Sequence, residues 1–429
     1  MKNTKFIYPF VVIIFILLLA FRSNTEPVPV IEEEEEITLP PTRQELAVHK
    51  YDALITKELD SSRTVGAAIA VVDNNQIYLL KCYGVKQVGT NDSIDENTLF
   101  RLASVSKAVT GVLAGILLND SIIGLDDRVI DYLPDFRLKD SVNTADLTIR
   151  NVLSHTSGLI SHAYDNLTEA NVPFRVIMDS LHRVNISARP GILYAYQNVV
   201  FSLIDTITAI KTSKSFEELL HEKVFAPLDM PNAGSGFLSF KENADIAYPH
   251  IRYYHGYKAT KLNDGLYNTA PAAGINASIY DMAHFVQFLL NYDTLSSEIN
   301  YLDTVFTRQI YTPLNWKYFR RWGKVDSRYY GLGWRLVGYK NHKIAYHGGY
   351  VRGYRAEVAF CKEENIGIVY LSNSPNTTAA KSVPLFLNTF FDEMGNNKQK
   401  VISEYNFEQI EELENVWFSS KLIPEIGQL

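Results

Sequence analysis

Residues 104–107 read Ser104-Val105-Ser106-Lys107 and lie in a segment, Ala103–Leu118, whose apolar residues recur with the period of an α-helix. Small residues stand at positions 108, 111, 114 and 115, so this helix can be buried against close neighbours. Ser104 is the only serine of the chain with a lysine three residues later. That spacing puts both side chains on one helix face, where a neutral Lys107 could take the proton of the Ser104 hydroxyl. The alternative is that Ser104 caps the helix and Lys107 is solvated.

A second stretch runs from a turn, Ala188-Arg189-Pro190-Gly191, to Tyr194-Ala195-Tyr196-Gln197-Asn198. The pattern Tyr-x-Asn also occurs at residues 164–166 and 339–341, in a predicted loop and a predicted hairpin turn. Only Tyr196 stands between a Pro-Gly turn and a predicted helix. The alternative is a tyrosine at a loop–helix junction whose hydroxyl is merely hydrogen-bonded.

The third stretch is His347-Gly348-Gly349, at the predicted end of a strand and followed by Tyr350-Val351-Arg352-Gly353. Paired glycines let another backbone or a substrate approach closely. Taken alone, the pair is equally typical of a tight turn.

The order and spacing of the three stretches resemble the serine β-lactamase and penicillin-binding protein superfamily, and more narrowly its class C β-lactamase and D-alanyl-D-alanine carboxypeptidase branch. Further segments that match this branch extend the resemblance over about Leu46 to Met394. These segments are Leu147–Leu159, Pro227-Leu228-Asp229-Met230, Ala273–Met282 and Tyr330-Gly331-Leu332-Gly333-Trp334.

The resemblance implies a role for each matched residue. Ser104 would be the acylated nucleophile and Lys107 its proton partner, while Tyr196 would share the proton and pass it to the leaving group. Asn198 would hold the substrate amide, and the backbone N–H groups of Ser104 and Tyr350 would form the oxyanion hole. Free lysine and tyrosine both titrate at about 10, so burial or coupling must move one proton if this mechanism is to run at neutral pH.

His347 stands where class C β-lactamases have the lysine of Lys-Thr-Gly, so the third stretch resembles carboxypeptidase and esterase members more than β-lactamases. His347, Gly348, Gly349 and Tyr350 are predicted to contact substrate, although Tyr350 is bulky where small residues are common. An ordinary histidine is mostly neutral at neutral pH. A substrate carboxylate should therefore bind better as the pH falls and the His347 imidazole becomes protonated. Arg352 is the nearest candidate to supply a permanent charge by a forked contact, and the alternative is a solvated loop arginine.

Two other observations limit the chemistry. His155 is expected to be structural, because the resemblance places it at a structural position of the family. No other pair of histidines has metal-ligand spacing, so we expect no metal and no cofactor.

Strand-like segments lie near both ends of the chain and helical periods dominate about Thr98 to Phe306. This pattern predicts an α+β fold in which an antiparallel sheet from both chain ends is flanked by helices and holds a large, mostly helical insertion. It is the β-lactamase/transpeptidase architecture that the resemblance implies. The predicted strands are Val65–Val72, Gln76–Tyr83, Gly331–Tyr339, Lys343–Tyr346, Arg355–Cys361 and Ile366–Ser372, and the predicted flanking helices are Gln44–Leu59 and Thr378–Met394.

The N-terminal segment has the pattern of a secretory signal, because Lys2 and Lys5 precede the apolar run Phe6–Phe21. An uncleaved signal anchor over residues 1–22 is favoured, and cleavage near Ala20 would instead release a secreted protein. Lysines on the N-terminal side keep that end in the cytoplasm, so the body is expected in the periplasm or at the cell surface. Residues 23–45 predict an acidic, proline-rich linker, residues 46–398 the hydrolase domain and residues 399–429 a C-terminal tail.

Composition excludes other classes of protein. The net charge of −7 and the pI near 5.8 give no electrostatic footprint for nucleic acid. Two cysteines make neither a disulfide framework nor a cysteine-rich zinc site. Cys82 and Cys361 lie on strands from opposite chain ends, and two separate thiols are favoured over a bridge.

These observations predict an extracytoplasmic serine hydrolase that works through a Ser104 acyl-enzyme. A D-Ala-D-Ala carboxypeptidase-like peptidase ranks first, an esterase second and a β-lactamase third. The expected partner is a small-molecule or peptide substrate, including peptidoglycan-derived peptides, with membrane contact through the N-terminal segment only. The rival hypothesis is a non-catalytic protein that binds β-lactams or cell-wall peptides.

Overall fold

Strands near both ends of the chain form one antiparallel sheet, as the sequence predicts. The computed structural model describes residues 41–292, 301–313 and 319–404. The strands are β1 (Gly66–Val72), β2 (Ile77–Gly84), β3 (Phe100–Arg101), β4 (Gly234–Ser235), β5 (His250–Tyr253), β6 (Gly256–Ala259), β7 (Ile275–Ala277), β8 (Ile310–Tyr311), β9 (Ser327–Tyr330), β10 (Arg335–Tyr339), β11 (His342–Val351), β12 (Tyr354–Cys361) and β13 (Ile366–Ser372).

Helices predominate over five short strands among the elements between β2 and β8, which confirms the predicted, mostly helical insertion. The α-helices are α1 (Arg43–Ser61), α2 (Ser106–Asn119), α3 (Val129–Tyr132), α4 (Ser141–Asp146), α5 (Ile149–Leu153), α6 (Asp165–Glu169), α7 (Phe174–Asp179), α8 (Asn198–Phe201), α9 (Leu203–Thr212), α10 (Phe216–Leu220), α11 (Phe237–Glu242), α12 (Ala270–Ala273), α13 (Ile279–Asn291), α14 (Tyr301–Val305) and α15 (Thr377–Glu404). Short 3₁₀ turns lie at Ala103–Val105, Ser180–Arg183 and Tyr267–Thr269, and a π-helical turn lies at His221–Phe225.

The main sheet has eight strands in the order β2-β1-β13-β12-β11-β10-β9-β8, and neighbouring strands run antiparallel. Helices cover both of its faces. Along β1, Ala68 and Ala70 face the core under the helical insertion, while Ile69 and Val71 face the core under α1 and α15. Because side chains alternate along a strand, a strand covered on both sides is buried throughout, and every residue of β1 is buried.

Helix α1 shows how the flanking helices are fixed by sequence. Thr42 and Glu45 form a capping box: the Thr42 hydroxyl accepts from Glu45 N at 3.2 Å, and the Glu45 carboxylate accepts from Thr42 N at 2.6 Å. Tyr51, Ile55 and Leu59 recur at a spacing of one helical turn and are fully buried against the sheet. This side of the sheet is a layer separate from the helical insertion.

The predicted strand Gly331–Tyr339 begins later, at Arg335. Residues 331–334 form a turn in which Gly331 N donates to Trp334 O at 2.8 Å. Gly333 has a φ of +79°, and a Cβ atom on it would lie 2.1 Å from the carbonyl oxygen of Lys107. The turn therefore packs directly on α2, and Trp334 Nε1 donates to Ala108 O at 3.1 Å. Periodicity along the strand could not show this contact.

Strand β11 is longer than predicted, because it continues through the two glycines to Val351. His347-Gly348-Gly349 is therefore not the end of a strand. Strand β10 pairs with β11 only from His342 to Tyr346, whereas β12 pairs with it as far as Val351. The segment 347–351 thus forms an edge on its β10 side within the described ranges.

The predicted domain boundaries stay predictions, because much of the chain beyond them is not described. The predicted signal segment 1–22 and most of the linker 23–45 lie outside the described residues, and α15 continues past the predicted boundary at 398 to Glu404. Within residues 41–292, 301–313 and 319–404, none of the helices has both the length and the apolar character needed to cross a membrane.

Candidate active site

Ser104 lies in the 3₁₀ turn Ala103–Val105 that leads into α2, and it is partly exposed at a cavity. The preceding Ala103 has a φ of +49°, in the left-handed region that costs a residue with a side chain on the order of 1–3 kcal/mol. Leu102 N donates to Ile275 O at 3.0 Å, which holds this segment against β7. The strained turn presents Ser104 to the cavity instead of burying it in the helix.

Lys107 lies in the first turn of α2 and is fully buried. Its Nζ donates to Asn198 Oδ1 at 2.6 Å and to Ala272 O at 2.9 Å. Burial holds the pKa of Lys107 well below its ordinary value; the Asp165 carboxylate opposes that shift and the Arg335 guanidinium adds to it. A neutral amine has two N–H groups, and these two acceptors use both. The remaining lone pair can therefore accept a proton.

Tyr196 stands over this lysine, with its ring centroid 4.6 Å from Lys107 Nζ, and it lines the same cavity. His155 fixes the loop that carries Tyr196. Its Nδ1 accepts from Gln197 N at 3.2 Å, its carbonyl accepts from Ala195 N at 2.8 Å, and its ring lies 4.2 Å from the Tyr196 ring. His155 is buried, and burial holds its pKa well below the ordinary value. These contacts are structural, in the sense that the sequence predicts for His155.

Asn198 begins α8 directly after this loop, and both ends of its amide are engaged. Its Oδ1 accepts from Lys107, and its Nδ2 donates to both oxygens of Asp165 at 3.0 Å. The predicted contact of Asn198 with a substrate amide stays a prediction, whereas its contact with Lys107 is present in the structure.

Gly349 allows the nucleophile turn to lie directly on β11. A Cβ atom at this position would stand 2.3 Å from Leu102 O and 3.1 Å from the backbone nitrogen of Ser104. The close backbone approach that paired glycines predict is therefore confirmed at Gly349. The same proximity of strand and turn is what the predicted oxyanion pair, Ser104 N and Tyr350 N, requires.

Gly348 makes room for buried polar groups on the other face of the strand. A Cβ atom at this position would stand 2.4 Å from Glu357 Oε2 and 2.7 Å from the Tyr346 hydroxyl oxygen. That hydroxyl donates to Glu357 Oε2 at 2.6 Å, and Arg355 Nη2 donates to Glu357 Oε1 at 2.5 Å. The first glycine of the motif thus accommodates a polar cluster of the sheet.

His347 is fully buried and does not line the cavity. Its Nδ1 lies 3.0 Å from Gly348 O, and its Nε2 lies 3.1 Å from the Tyr330 hydroxyl. A carbonyl can only accept, so Nδ1 carries the proton and Nε2 accepts from Tyr330. Burial, with the nearby charges of Arg335 and Lys107, holds the pKa of His347 well below its ordinary value. This arrangement is that of a neutral imidazole.

The cavity beside Ser104 has a volume of about 670 Å³. Its described lining consists of Ser104, Ser161, His162, Tyr194, Tyr196, Pro313, Trp322, Arg335, Tyr346, Gly348, Gly349, Tyr350, Arg355 and Ala380. Aromatic, cationic and glycine surfaces therefore surround the serine. The exposed Tyr350 side chain belongs to this lining.

Arg335 is the principal site residue that the sequence did not reveal. It is only 6% exposed, its Nη1 donates to the Tyr194 hydroxyl at 3.2 Å, and its guanidinium lies 5.6 Å from the ring centroids of Tyr196 and Tyr330. Its position directly after Trp334, at the end of a family segment, was the one available signal. Arg335 thus brings a positive charge into the cavity wall.

Arg352, the predicted source of charge, lies elsewhere. It is exposed in the turn between β11 and β12 and is not among the described residues that line the cavity. Arg355, on β12, does line the cavity, although it is paired with the buried Glu357. The structure therefore brings Arg335 and Arg355, and not Arg352, to the nucleophile.

One group of metal-ligand type occurs in the described residues, at the far end of β11 and β12. Donor atoms of His342, Cys361 and Glu363 lie within 4.8 Å of one another. His342 is paired with Glu364 at 3.3 Å and Glu363 with Lys343 at 3.3 Å. The group takes no part in the Ser104 site.

The fold and the arrangement of this site are those of the β-lactamase fold. The chain belongs to the Beta-lactamase family, whose model matches residues 51–385, and so to the serine β-lactamase and penicillin-binding protein superfamily. The resemblance seen in the sequence is confirmed.

Proteins similar to this chain come from several organisms. Protein flp of Staphylococcus aureus (strain MRSA252) is 24% identical over 336 residues, which cover 76% of this chain and 62% of that protein. Unguisins hydrolase ungD of Aspergillus violaceofuscus is 25% identical over 361 residues, which cover 77% of this chain and 62% of that protein. The chain thus spans less than two thirds of the length of these relatives. An octameric penicillin-binding protein homologue from Pyrococcus abyssi has a similar fold, with a TM-score of 0.67 and 20% identity over 80% of this chain and 77% of that one.

Proposed function

We propose that this protein is a serine hydrolase in which Ser104 forms an acyl-enzyme with a peptide or ester substrate. The observation that carries the proposal is the state of Lys107. A fully buried lysine, with a pKa held well below its ordinary value and with two acceptors for its N–H groups, lies one helical turn from a serine that opens on a cavity. A structural lysine has no need of this arrangement, whereas a base for a serine hydroxyl does.

The chemistry follows from the positions of the groups. Ser104 Oγ attacks the substrate carbonyl as its proton passes to Lys107 Nζ, and backbone N–H groups of Ser104 and Tyr350 receive the developing oxyanion. The tetrahedral intermediate collapses when the leaving group takes a proton that Lys107 and Tyr196 hold between them. Water then attacks the acyl-enzyme, its proton passes to the same pair, and Ser104 recovers its own proton as the acid product leaves.

A peptide substrate, cleaved in the manner of a D-Ala-D-Ala carboxypeptidase, ranks first and an ester second. A relative named as a hydrolase of unguisins and the superfamily's small-molecule and peptide substrates support this range. A β-lactamase role ranks third because His347 is buried and neutral where β-lactamases carry a lysine. The rival, a non-catalytic binder of β-lactams or cell-wall peptides, has no use for a buried Lys107 whose pKa is held well below its ordinary value.

The N-terminal pattern of Lys2, Lys5 and the apolar run Phe6–Phe21 supports an extracytoplasmic location, tethered by a signal anchor. A fusion of residues 1–45 to a reporter that is active only outside the cytoplasm tests this proposal. Reporter activity in the membrane fraction supports an anchor, activity in the medium supports cleavage, and no activity contradicts both.

Intact-mass measurement after incubation with a penicillin, and separately with a fluorophosphonate, tests the catalytic proposal. We expect each probe to form one adduct, mapped to Ser104 by peptide analysis. The penicilloyl ester should hydrolyse when excess penicillin is removed, whereas the phosphonate ester should persist. Ser104→Ala and heat-unfolded wild type should remain unlabelled. A penicilloyl adduct that never hydrolyses would support the binder, and a folded wild type that neither probe labels would contradict the hydrolase.

A further inference from the structure

We infer that Asp165 is a positioning residue, which orients the Asn198 amide so that its oxygen faces Lys107. This inference rests on the proposed function of Ser104 and Lys107. Asp165 begins the short helix α6, in a segment to which the sequence assigned no role. Its carboxylate lies behind Asn198, on the side away from Lys107, and forms the next contact of the polar chain that leads from the base.

The geometry leaves one orientation for the amide. Asn198 Nδ2 lies 3.0 Å from Oδ1 and 3.0 Å from Oδ2 of Asp165, and Lys107 Nζ lies 2.6 Å from Asn198 Oδ1. An ionised carboxylate accepts and does not donate, so it must face the NH₂ end of the amide. The carbonyl end is then directed at Lys107. A reversed amide would place N–H groups against the lysine and an oxygen against the carboxylate.

A third residue holds Asp165 itself. His162 Nδ1 lies 2.7 Å from Asp165 Oδ2, and the backbone N–H of His162 donates to Tyr196 O at 2.8 Å. His162 lines the cavity, so the contact chain runs from the cavity wall through Asp165 and Asn198 to Lys107. The Asp165 side chain is 22% exposed, which makes it substantially less solvated than a surface carboxylate.

The amide orientation matters because it determines where the proton acceptor of Lys107 points. With one N–H bound to Asn198 Oδ1 and the other to Ala272 O, the lone pair of a neutral amine is left free for Ser104. If Asn198 turned its NH₂ end to Lys107, that lone pair would accept from Asn198 instead. A misdirected base is expected to slow acylation by about a hundredfold.

Asp165 also acts on Lys107 through its charge. The ionisable groups that face Lys107 from the surrounding elements are Asp165 on α6, Arg335 on β10, Tyr196 and His155 on loops, and His347 on β11. The carboxylate of Asp165 raises the pKa of Lys107, against the larger effect of burial. Removing that charge should therefore move the acid limb of a pH–rate profile to lower pH.

The test measures the rate at which a fluorophosphonate phosphonylates Ser104, a step that needs the same base as acylation, by intact mass across a range of pH. For Asp165→Asn we expect the limiting rate to fall about a hundredfold while the acid limb moves to lower pH. The matched control is Asp127→Asn. Asp127 is also a partly buried carboxylate with two hydrogen-bond donors, the backbone N–H of Gly124 at 2.7 Å and a tyrosine hydroxyl, but it lies outside the described cavity lining. The control should keep both the wild-type labelling rate of Ser104 and the wild-type position of the acid limb.

A second variant keeps the inference testable if Asp165→Asn does not fold. Asn198→Asp places a carboxylate against Lys107, which should favour the ammonium form and move the acid limb to higher pH. Folded Asp165→Asn could lose labelling rate with no shift of the acid limb, or shift the acid limb with no loss of labelling rate. Either result overturns the inference about Asp165, while continued labelling of Ser104 still supports the hydrolase. If Asp165→Asn is unfolded, an unmoved limb in Asn198→Asp overturns it. Wild type that is not labelled at Ser104 overturns both proposals.

Discussion

The backbone nitrogen of Ser104 lies 3.1 Å from the place that a Cβ atom would occupy on Gly349. The nucleophile turn and β11 are therefore in direct backbone contact, and the second glycine of His347-Gly348-Gly349 is fixed by this contact. Gly349→Ala should push the turn from the strand, lower the free energy of unfolding by about 1–3 kcal/mol and slow acylation by about a hundredfold.

Gly256→Ala is the matched control for this effect, because a Cβ atom there would meet nothing within 4 Å. It should retain the wild-type acylation rate. Denaturant unfolding and probe labelling measure the two effects, and a fully active Gly349→Ala protein would show that the contact is dispensable.

Tyr196→Phe keeps the ring that packs on His155 and stands over Lys107, and it removes only the hydroxyl. We expect kcat to fall by roughly 10²–10⁴, the usual scale for a positioned acid–base group, with the melting temperature nearly unchanged. Tyr194→Phe instead removes the acceptor of Arg335 and should change KM more than kcat. Steady-state kinetics on one ester substrate distinguish the two, and a change in KM alone would assign Tyr196 to binding.

A substrate carboxylate should be recognised by Arg335. Arg335→Gln is expected to raise KM for a carboxylated substrate by about tenfold or more and to leave KM for an uncharged ester nearly unchanged, because a charged hydrogen bond contributes about 1.5–3 kcal/mol. Arg352→Ala is the control, and with this side chain exposed outside the described lining we expect no change in KM. A raised KM for Arg352→Ala, with no change for Arg335→Gln, would instead support Arg352 as the residue that binds the carboxylate.

Stability should fall on acidification because two buried histidines are neutral. The pKa values of His155 and His347 both lie well below the ordinary 6.5, chiefly through burial. The unfolded chain then binds more protons than the folded one, so each histidine is expected to lower the free energy of unfolding by about 2 kcal/mol between roughly pH 6.5 and pH 5. His155→Gln should flatten this dependence in denaturant titrations, and His49→Gln, at an exposed position on α1, should not.

Both cysteines should titrate as free thiols. Cys82 on β2 and Cys361 on β12 are separated by β1 and β13, so they stand at least about 14 Å apart, far beyond the reach of a disulfide. They also pack on opposite faces of the sheet. Thiol counting under denaturing, non-reducing conditions should find two, and a count of none would contradict the strand order.

The sequence predicted the architecture because periodicity and motif spacing report local structure. β13, for example, is found as predicted, at Ile366–Ser372. The sequence could not predict that β10 starts only at Arg335, because the preceding turn is determined by its contact with α2.

The same distinction applies to the candidate site. Ser104, Tyr196 and the glycines of the third stretch are brought to one cavity, and Lys107 lies beneath it. Arg335 and Asp165 were missed because the site residues that they contact, Tyr194 and Asn198, are distant in sequence. Glu357 was missed because it meets Gly348 only through the pairing of β11 with β12. His347 lies on β11 next to the two glycines, as the sequence indicates, but it is buried and does not reach the cavity. Its burial depends on the packing of β9 against β11, which the sequence does not show.

The polar cluster beneath β11 limits how this sequence can change over evolutionary time. The Glu357 carboxylate and the Tyr346 hydroxyl fill the space where residue 348 would carry a side chain. A larger residue at position 348 requires the Glu357 carboxylate and the Tyr346 hydroxyl to move, and loss of Glu357 removes the buried carboxylate that pairs with Arg355. The effect of a mutation at either position is therefore expected to depend on the residue present at the other.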